Sequence, residues 1–226
     1  MENGARRVRA ILDPLSSVLV LLPLLFLPLV SNGCAAAGVL THKLMGPPPV
    51  PAQYKPAHEP MLVLVENYHN PTSTVIEGRR LENLINEQLV QYKIAPLTDP
   101  ALLDEVRTQS GYEKLTIPAV GRACGARQVL YVHVHKFSVE GTVGAEMLKG
   151  TADMSVRVVD ADTGDNRWPL DAVGSPVTLE TPWLRMAEGV NESTLREQMA
   201  TRAADYIVKL FRKYSTEDDI SEQAVQ

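Results

Sequence analysis

Met61-Leu62-Val63-Leu64-Val65 decides how this chain folds: five apolar residues follow one another with no polar position between them. A strand wetted on one face alternates apolar with polar, so an unbroken run of this length is the pattern of a strand covered on both faces. It predicts a central strand in an α/β domain. Glu66-Asn67-Tyr68-His69-Asn70-Pro71 then reads as a loop of turn formers. A helix follows, opened by Thr74 and Glu77 at capping-box spacing and carrying Leu81, Leu84, Ile85 and Leu89 at helical period.

Working toward the C-terminus, Gln91 to Leu97 reads as a short second strand ending near Pro96. Asp99-Pro100 is an N-cap followed by proline at the first helical position, and predicts a helix through Arg107 stopped by Gly111. Thr116 and Pro118 open another, with Gly125 as its terminal glycine and with Ile117, Val120 and Cys124 on one face. Gln128 to Ser138 alternates Leu130, Val132 and Val134 against Tyr131, His133 and His135, the period of a half-buried strand. Thr151 to Asp160 repeats the pattern with Ala152, Met154, Val156 and Val158 inward. The glycine-containing segment Val139 to Gly150 is the expected hairpin loop.

Asp162-Thr163-Gly164-Asp165 is a tight turn into an edge strand over Asn166 to Val173, marked by Pro169. Gly174 to Glu188 reads as irregular. The longest helix runs from about Ser193 to Tyr214, and the acidic residues after it, 215–226, are expected to be disordered. The predicted class is α/β (α+β): a mixed sheet of about five strands with helices packed on it, in the order βαβααβββα, over residues 61–214.

Working toward the N-terminus, Gly46 to Pro60 holds Pro47, Pro48, Pro49, Pro51, Pro56 and Pro60 and reads as a semi-rigid spacer. Before it, Arg6, Arg7 and Arg9 precede the apolar run Val18 to Val30, which closes on Ser31-Asn32-Gly33-Cys34. These are the parts of a secretory signal. Pro14, Pro23 and Pro28 interrupt the run, which is short against the roughly 20 clean apolar residues of a spanning helix.

The Cys at its end resembles the bacterial lipoprotein signal, in which cleavage falls before the Cys and the thiol receives a diacylglycerol. That resemblance implies a signal peptide over 1–33, lipidation of Cys34 and a tether over 34–60. By the sorting rule of such lipoproteins, Ala35 implies the outer membrane, facing the periplasm. Retention of the segment as an uncleaved anchor is the alternative.

The formal net charge is −5, so no basic footprint for nucleic acid exists. Of the two cysteines, Cys34 and Cys124, the second reads as a small buried hydrophobe, and no disulfide framework is expected.

Val63-Leu64-Val65-Glu66-Asn67, then Gly125-Ala126-Arg127-Gln128-Val129-Leu130-Tyr131-Val132, then Val156 to Asp165 with Trp168, and finally a terminal amphipathic helix, stand in an order with a parallel. It resembles the envelope domains shared by the lipoprotein activators of penicillin-binding proteins, the curli secretion lipoprotein and the N-terminal domain of the Tol-system translocation protein. The resemblance implies a non-catalytic, protein-binding domain whose partner is a penicillin-binding protein or an envelope assembly. A subunit of a secretion complex is the alternative, disfavoured because the expected hairpin loop is short for a membrane-crossing pair.

Several residues invite chemistry. His133 and His135 share a strand face and could hold a metal, but zinc needs a third and usually a fourth ligand that no spacing selects. Ser155 with His133 and Asp153 lacks the strained turn of a nucleophile. Asp160 to Asp165 begins like a calcium loop but lacks the closing bidentate Glu, so a plain turn is expected. No glycine-rich phosphate motif occurs, and no cofactor is expected. Asn67, Tyr68 and His69 lie where α/β folds place ligands, beyond the carboxyl end of the apolar strand. With His133 and His135 they form the predicted partner-binding set.

Overall fold

The computed structural model describes residues 49–66, 74–142, 146–186 and 191–215, with side chains of the first helix described from Gly78. Cys34, the signal, Asn67, Tyr68, His69 and the acidic residues after 215 lie outside the described residues. β1 (Met61–Glu66) is buried on both faces, as its apolar run predicts. It is not central, however. Among the described residues β1 pairs in parallel with one other strand, β2 (Gln128–Thr142), Met61 opposite Gln128 through Glu66 opposite His133.

Its other edge is covered by something else. The Met61 N–H donates to the Pro96 carbonyl at 2.8 Å and the Thr98 N–H donates to the Met61 carbonyl at 2.9 Å. Further along, the Val65 N–H donates to a Glu82 carboxylate oxygen at 3.3 Å. Residues 91–97 therefore supply a single bridge at Leu97 rather than the expected strand. The helix before them runs on to Gln91 and spends those residues on a turn.

Parallel strands cannot be joined by a hairpin, and the crossover from β1 to β2 is built of α1 (Thr74–Gln91), α2 (Pro100–Thr108), a single 3₁₀ turn at Tyr112–Lys114 and α3 (Ile117–Ala123). Asp99 caps α2 as its sequence predicts, accepting from the Ala101 N–H at 2.9 Å. At Gly121 an added Cβ would stand 2.5 Å from Val129 Cγ2, so this position lets α3 lie directly on β2. Cys124 is buried there, and burial pushes its thiol up, away from reactivity.

β2 and β3 (Met147–Asp160) form a hairpin far longer than the expected one, with Thr142 opposite Met147. Glycines at 141 and 150 continue the ladder instead of ending it. The far edge of β3 is covered in three pieces: β4 (Asn166–Trp168), β5 (Ser175–Glu180) and β6 (Leu184–Arg185). β4 is thus shorter than predicted, and the Gly174 to Glu188 passage, expected to be irregular, supplies two strands. α4 (Glu192–Lys209) closes the chain; Asn191 and Thr194 form its capping box, two residues upstream of the predicted start. The mixed six-stranded α+β sheet follows the order β1-β2-β3-β4, with β5 and β6 on β3.

Two cores result. α1 and α4 pack on one face, where Ile85, Leu89, Leu130, Met154, Met199 and Ile207 are all fully buried. Each such side chain contributes about 1.5–3 kcal/mol by leaving water. α2 and α3 cover the opposite face, but only over β1, the first half of β2 and the end of β3, where Leu62, Leu64, Val129, Tyr131 and Val159 lie.

The spacer reading ended at Pro60, yet the compact unit runs from Val50 to Tyr214. Val50 and Tyr214 exchange backbone hydrogen bonds of 2.8 and 3.1 Å, and the Gln53 and Tyr54 N–H groups donate to the Leu210 carbonyl at 2.8 and 3.1 Å. The Tyr54 ring stacks on Trp168 at 5.8 Å between centroids and meets Phe211 edge-on at 6.4 Å. Fully buried Gln128 donates its amide to the carbonyls of Ala57 and Glu59 at 2.7 and 3.0 Å. Prolines supply no N–H for a ladder, so this strap is held by side chains, by the N–H groups of its non-proline positions and by carbonyls, that of Pro60 accepting from the Arg127 N–H at 2.9 Å.

Arg167 ties strap to sheet, bonding Glu59 at 2.9 Å and Asp160 at 2.8 Å. The backbone N–H of Thr163, the Arg167 guanidinium and the Asp162 N–H hold the Asp160 carboxyl down at about 2, against an ordinary 3.8. Because the folded value is the lower one, the stabilisation is complete above about pH 3.8 and lost as pH falls through about 2. Asp160→Ala is expected to cost about 1–2 kcal/mol at pH 7. At pH 2, where the folded carboxyl is about half protonated, most of the difference in urea unfolding between the variant and the unmodified chain should be gone. A difference that persists unchanged at pH 2 would contradict this assignment.

Candidate functional site: the uncovered half of the sheet

Residues directly opposite in a ladder share a sheet face, so the register fixes what surrounds His133. Glu66 on β1 stands beside His133, His133 beside Ser155 on β3, and Ser155 beside Pro176 on β5. This row lies on the face that α2 and α3 cover only in part. The row before it, Leu64, Tyr131 and Arg157, is the limit of that cover: Tyr131 is buried, and the Arg157 guanidinium lies over its ring at 4.9 Å. From His133 onward along β2 the face is partly or wholly exposed.

A β-bulge then changes the count. Between Val134 and Lys136 the register of β2 against β3 shifts by one, so that Lys136, not His135, stands opposite Asp153. The extra residue bends a strand and turns side chains that would alternate onto a common surface. His135 consequently reaches Ser155, Nε2 to Oγ 3.1 Å, while its ring stands 4.4 Å from that of His133. Lys136 bonds Glu140 at 3.1 Å, and Asp153 accepts from the Thr178 hydroxyl at 3.4 Å. Two imidazoles, an ammonium, two carboxylates and two hydroxyls are thus gathered on one open surface.

Beneath its edge at the carboxyl end of β1 lies a buried ion pair. Arg107 on α2 donates to both carboxylate oxygens of Glu82 on α1, at 3.1 and 2.9 Å, and to the Val65 carbonyl at 3.4 Å. Glu82 is only 5% exposed. Burial pushes its carboxyl up, against the downward pull of Arg107 and of the Val65 N–H, while Arg107 stays protonated throughout. Beside it the Tyr112 hydroxyl donates to Glu66 at 2.8 Å, and burial together with the Glu66 charge holds that phenol protonated well above its ordinary range. This network supplies partners to the outward N–H and carbonyl of Val65, at the carboxyl end of β1.

His133 and His135, predicted as a pair, do lie together on this face. Among the described residues no group of three or more His, Cys, Asp and Glu could hold a metal. Ser155, Asp153 and His133 form no nucleophile chain: Ser155 sits in a regular ladder and its hydroxyl partner is His135. Asp160 serves its turn, accepting from the Asp162 and Thr163 N–H groups at 2.8 and 3.0 Å. Lys136, Arg157, Glu82 and Arg107 were not singled out by the sequence. A bulge has no signature in the alternation, and the partners of Glu82 are 17 and 25 residues away.

No protein-family model and no curated protein matches the chain. Solved structures do resemble it. A PelC dodecamer from Paraburkholderia phytofirmans aligns over 72% of this chain and 93% of its own, at 18% identity and a TM-score of 0.41. The lipoprotein GNA1162 from Neisseria meningitidis aligns over 68% of this chain and 99% of its own, at 16% and 0.41. The hypothetical protein CT253 from Chlamydia trachomatis aligns over 68% and 96%, at 13% and 0.39. The neighbours are bacterial proteins and include a lipoprotein; at these scores they do not bear on what this chain does.

Proposed function

We propose that this chain is a lipid-anchored protein of the bacterial cell envelope, attached through Cys34 to the outer membrane and facing the periplasm. Its domain binds a protein partner and catalyses no reaction. The observation that carries the binding reading is the uncovered half of the sheet, where a β-bulge sets His135 and Lys136 beside Ser155 and Asp153 in front of a rigid, ion-paired floor. Charged and hydrogen-bonding groups spread over an open surface suit the polar recognition of a protein surface better than the enclosure of a small substrate. The anchor rests on the signal pattern of residues 1–34. A penicillin-binding protein or an envelope assembly is the partner that the family resemblance implies.

A photo-crosslinking residue placed at Ser155 in the native envelope should yield one dominant protein adduct, lost in His135→Ala with Lys136→Glu. An adduct pattern indifferent to those changes would overturn the binding reading, and Cys34→Ser protein that stays in the membrane fraction would overturn the anchor. The 4.4 Å approach of the two imidazoles supports a second reading, a metal-dependent binder. One zinc per purified chain, abolished by His133→Ala, would favour it over the first.

A further inference from the structure

β5 is the outer strand of the sheet where it covers β3, and among the described residues nothing pairs with its far edge. The phase of its hydrogen bonds is set at its end, where the Thr181 N–H donates to the Gly150 carbonyl at 3.0 Å. Positions 179, 177 and 175 therefore bond inward to β3, while Pro176, Thr178 and Glu180 present their backbone groups outward. Pro176, which has no N–H, stands where none is needed by β3. The outward edge retains the N–H groups of Thr178 and Glu180 and three carbonyls.

Large apolar side chains flank this edge at both ends. Before it, the loop between β4 and β5 carries Leu170, 87% exposed, and Val173, 79% exposed. After it come Trp183 at 44% and Met186 at 43%. The loop is rigid: the Asp171 carboxylate accepts from the N–H groups of Val173 and Gly174 at 3.1 and 3.0 Å, and Asn166 donates to the Asp171 carbonyl at 2.8 Å. Gly174 has a φ of 85°, and a Cβ there would meet the Val156 carbonyl oxygen at 3.1 Å, so the turn into β5 requires glycine at this position. Ordered apolar groups held this far into water are characteristic of an interaction surface.

We propose that the occupant is a second copy of this chain, its β5 pairing antiparallel with this one about a two-fold axis at Thr178. In that register the two Thr178 residues exchange both hydrogen bonds, and each Glu180 N–H reaches the Pro176 carbonyl of the other copy. In this register every outward N–H of β5 finds an acceptor, and the proline leaves only the Glu180 carbonyl of the other copy without a backbone donor. Self-complementarity of the flanks selects the same axis. Val173 and Trp183 lie five residues to either side of Thr178, and Asp171 and Arg185 seven, so each pair meets its counterpart across an isologous contact.

The ladder puts these flanks on opposite sides of Thr178. Thr178 stands opposite Asp153, Ser175 opposite Val156, and Leu184 opposite Leu148. Val173 precedes Ser175 and Trp183 precedes Leu184, so the two apolar groups flank the axis on opposite sides. An apolar contact and an opposite-charge contact would be made twice. The polar faces of the two copies would then lie side by side on one surface of a continuous sheet. The inference does not depend on the partner or anchor proposed above.

Sedimentation of the full chain in detergent, up to roughly 100 μM, an upper range for weak specific contacts, should show a monomer–dimer equilibrium. Thr178→Pro removes an outward N–H and leaves the β3 ladder intact; it should weaken dimerisation at least tenfold, as should Trp183→Ala. Independently of folding effects in those variants, a Thr178→Cys chain should form a disulfide-linked dimer on mild oxidation, because residues paired across the axis lie within disulfide reach. A Gln198→Cys chain, substituted on the exposed side of α4, should not. A chain monomeric at every concentration, or Thr178→Cys no more readily crosslinked than Gln198→Cys, would overturn the proposal.

Discussion

Arg107→Ala is expected to lower the unfolding free energy by about 3–5 kcal/mol, because it strands a buried carboxylate without its counter-charge. Glu82 then keeps the Val65 N–H alone, and the Val65 carbonyl loses a donor as well. The effect should depend on pH. Burial already holds the Glu82 carboxyl above its ordinary value, and without Arg107 it should rise further. A carboxyl whose folded value lies above its unfolded one favours the fold at low pH and loses that contribution as pH rises through the folded value. Urea unfolding should therefore find Arg107→Ala closer to the unmodified chain at pH 4 than at pH 7. Glu82→Leu combined with Arg107→Met should recover much of the loss, since apolar replacements leave no charge stranded. Equal losses at both pH values would show that Glu82 is not the group responsible.

Tyr54→Ala should cost about 3 kcal/mol, near the low end for removing a large aromatic side chain because Tyr54 is only half-buried. Its ring fills the contact between Trp168 and Phe211, and its loss removes the apolar fastening of the strap at residues 50–60. The Leu210 and Gln128 hydrogen bonds remain but become open to water. Limited proteolysis with elastase should then cut after Ala52 or Ala57 well before the body of the domain, whereas the unmodified chain should resist there. If the strap stays protected in Tyr54→Ala, the ring is not what holds it.

Much of the architecture was legible because it follows from local periodicity. The apolar run at 61–65, the helical spacing of Leu81 to Leu89, the Asp99-Pro100 start and the alternation through Leu130 to Val134 each record which face of an element meets the core. What was missed lies where the partner is distant. Residues 175–180 alternate Val177 and Leu179 with Pro176 and Thr178, but six residues containing a proline carry a weak signal. Only β3 makes a strand of them. Residues 91–97 show the reverse, an apparent strand reduced to one bridge because α1 and the turn after it occupy the chain.

The candidate surface divides in the same way. His133 and His135 could be placed on one face from their spacing, since that needs only the period of a strand. Their meeting with Ser155, Lys136 and Asp153 depends on a one-residue shift between two strands, which neither strand encodes alone. By itself the sequence determined the α+β class, most of the helices and the two-sided burial of β1, because those are written in apolar spacing within single elements. Tertiary structure alone decided that β1 is an edge strand sealed by Glu82 and Arg107, that a proline-rich segment is docked as a strap, and that half of one sheet face is left open. Each of those depends on contacts between residues far apart in the chain, whose geometry exists only once the elements have packed.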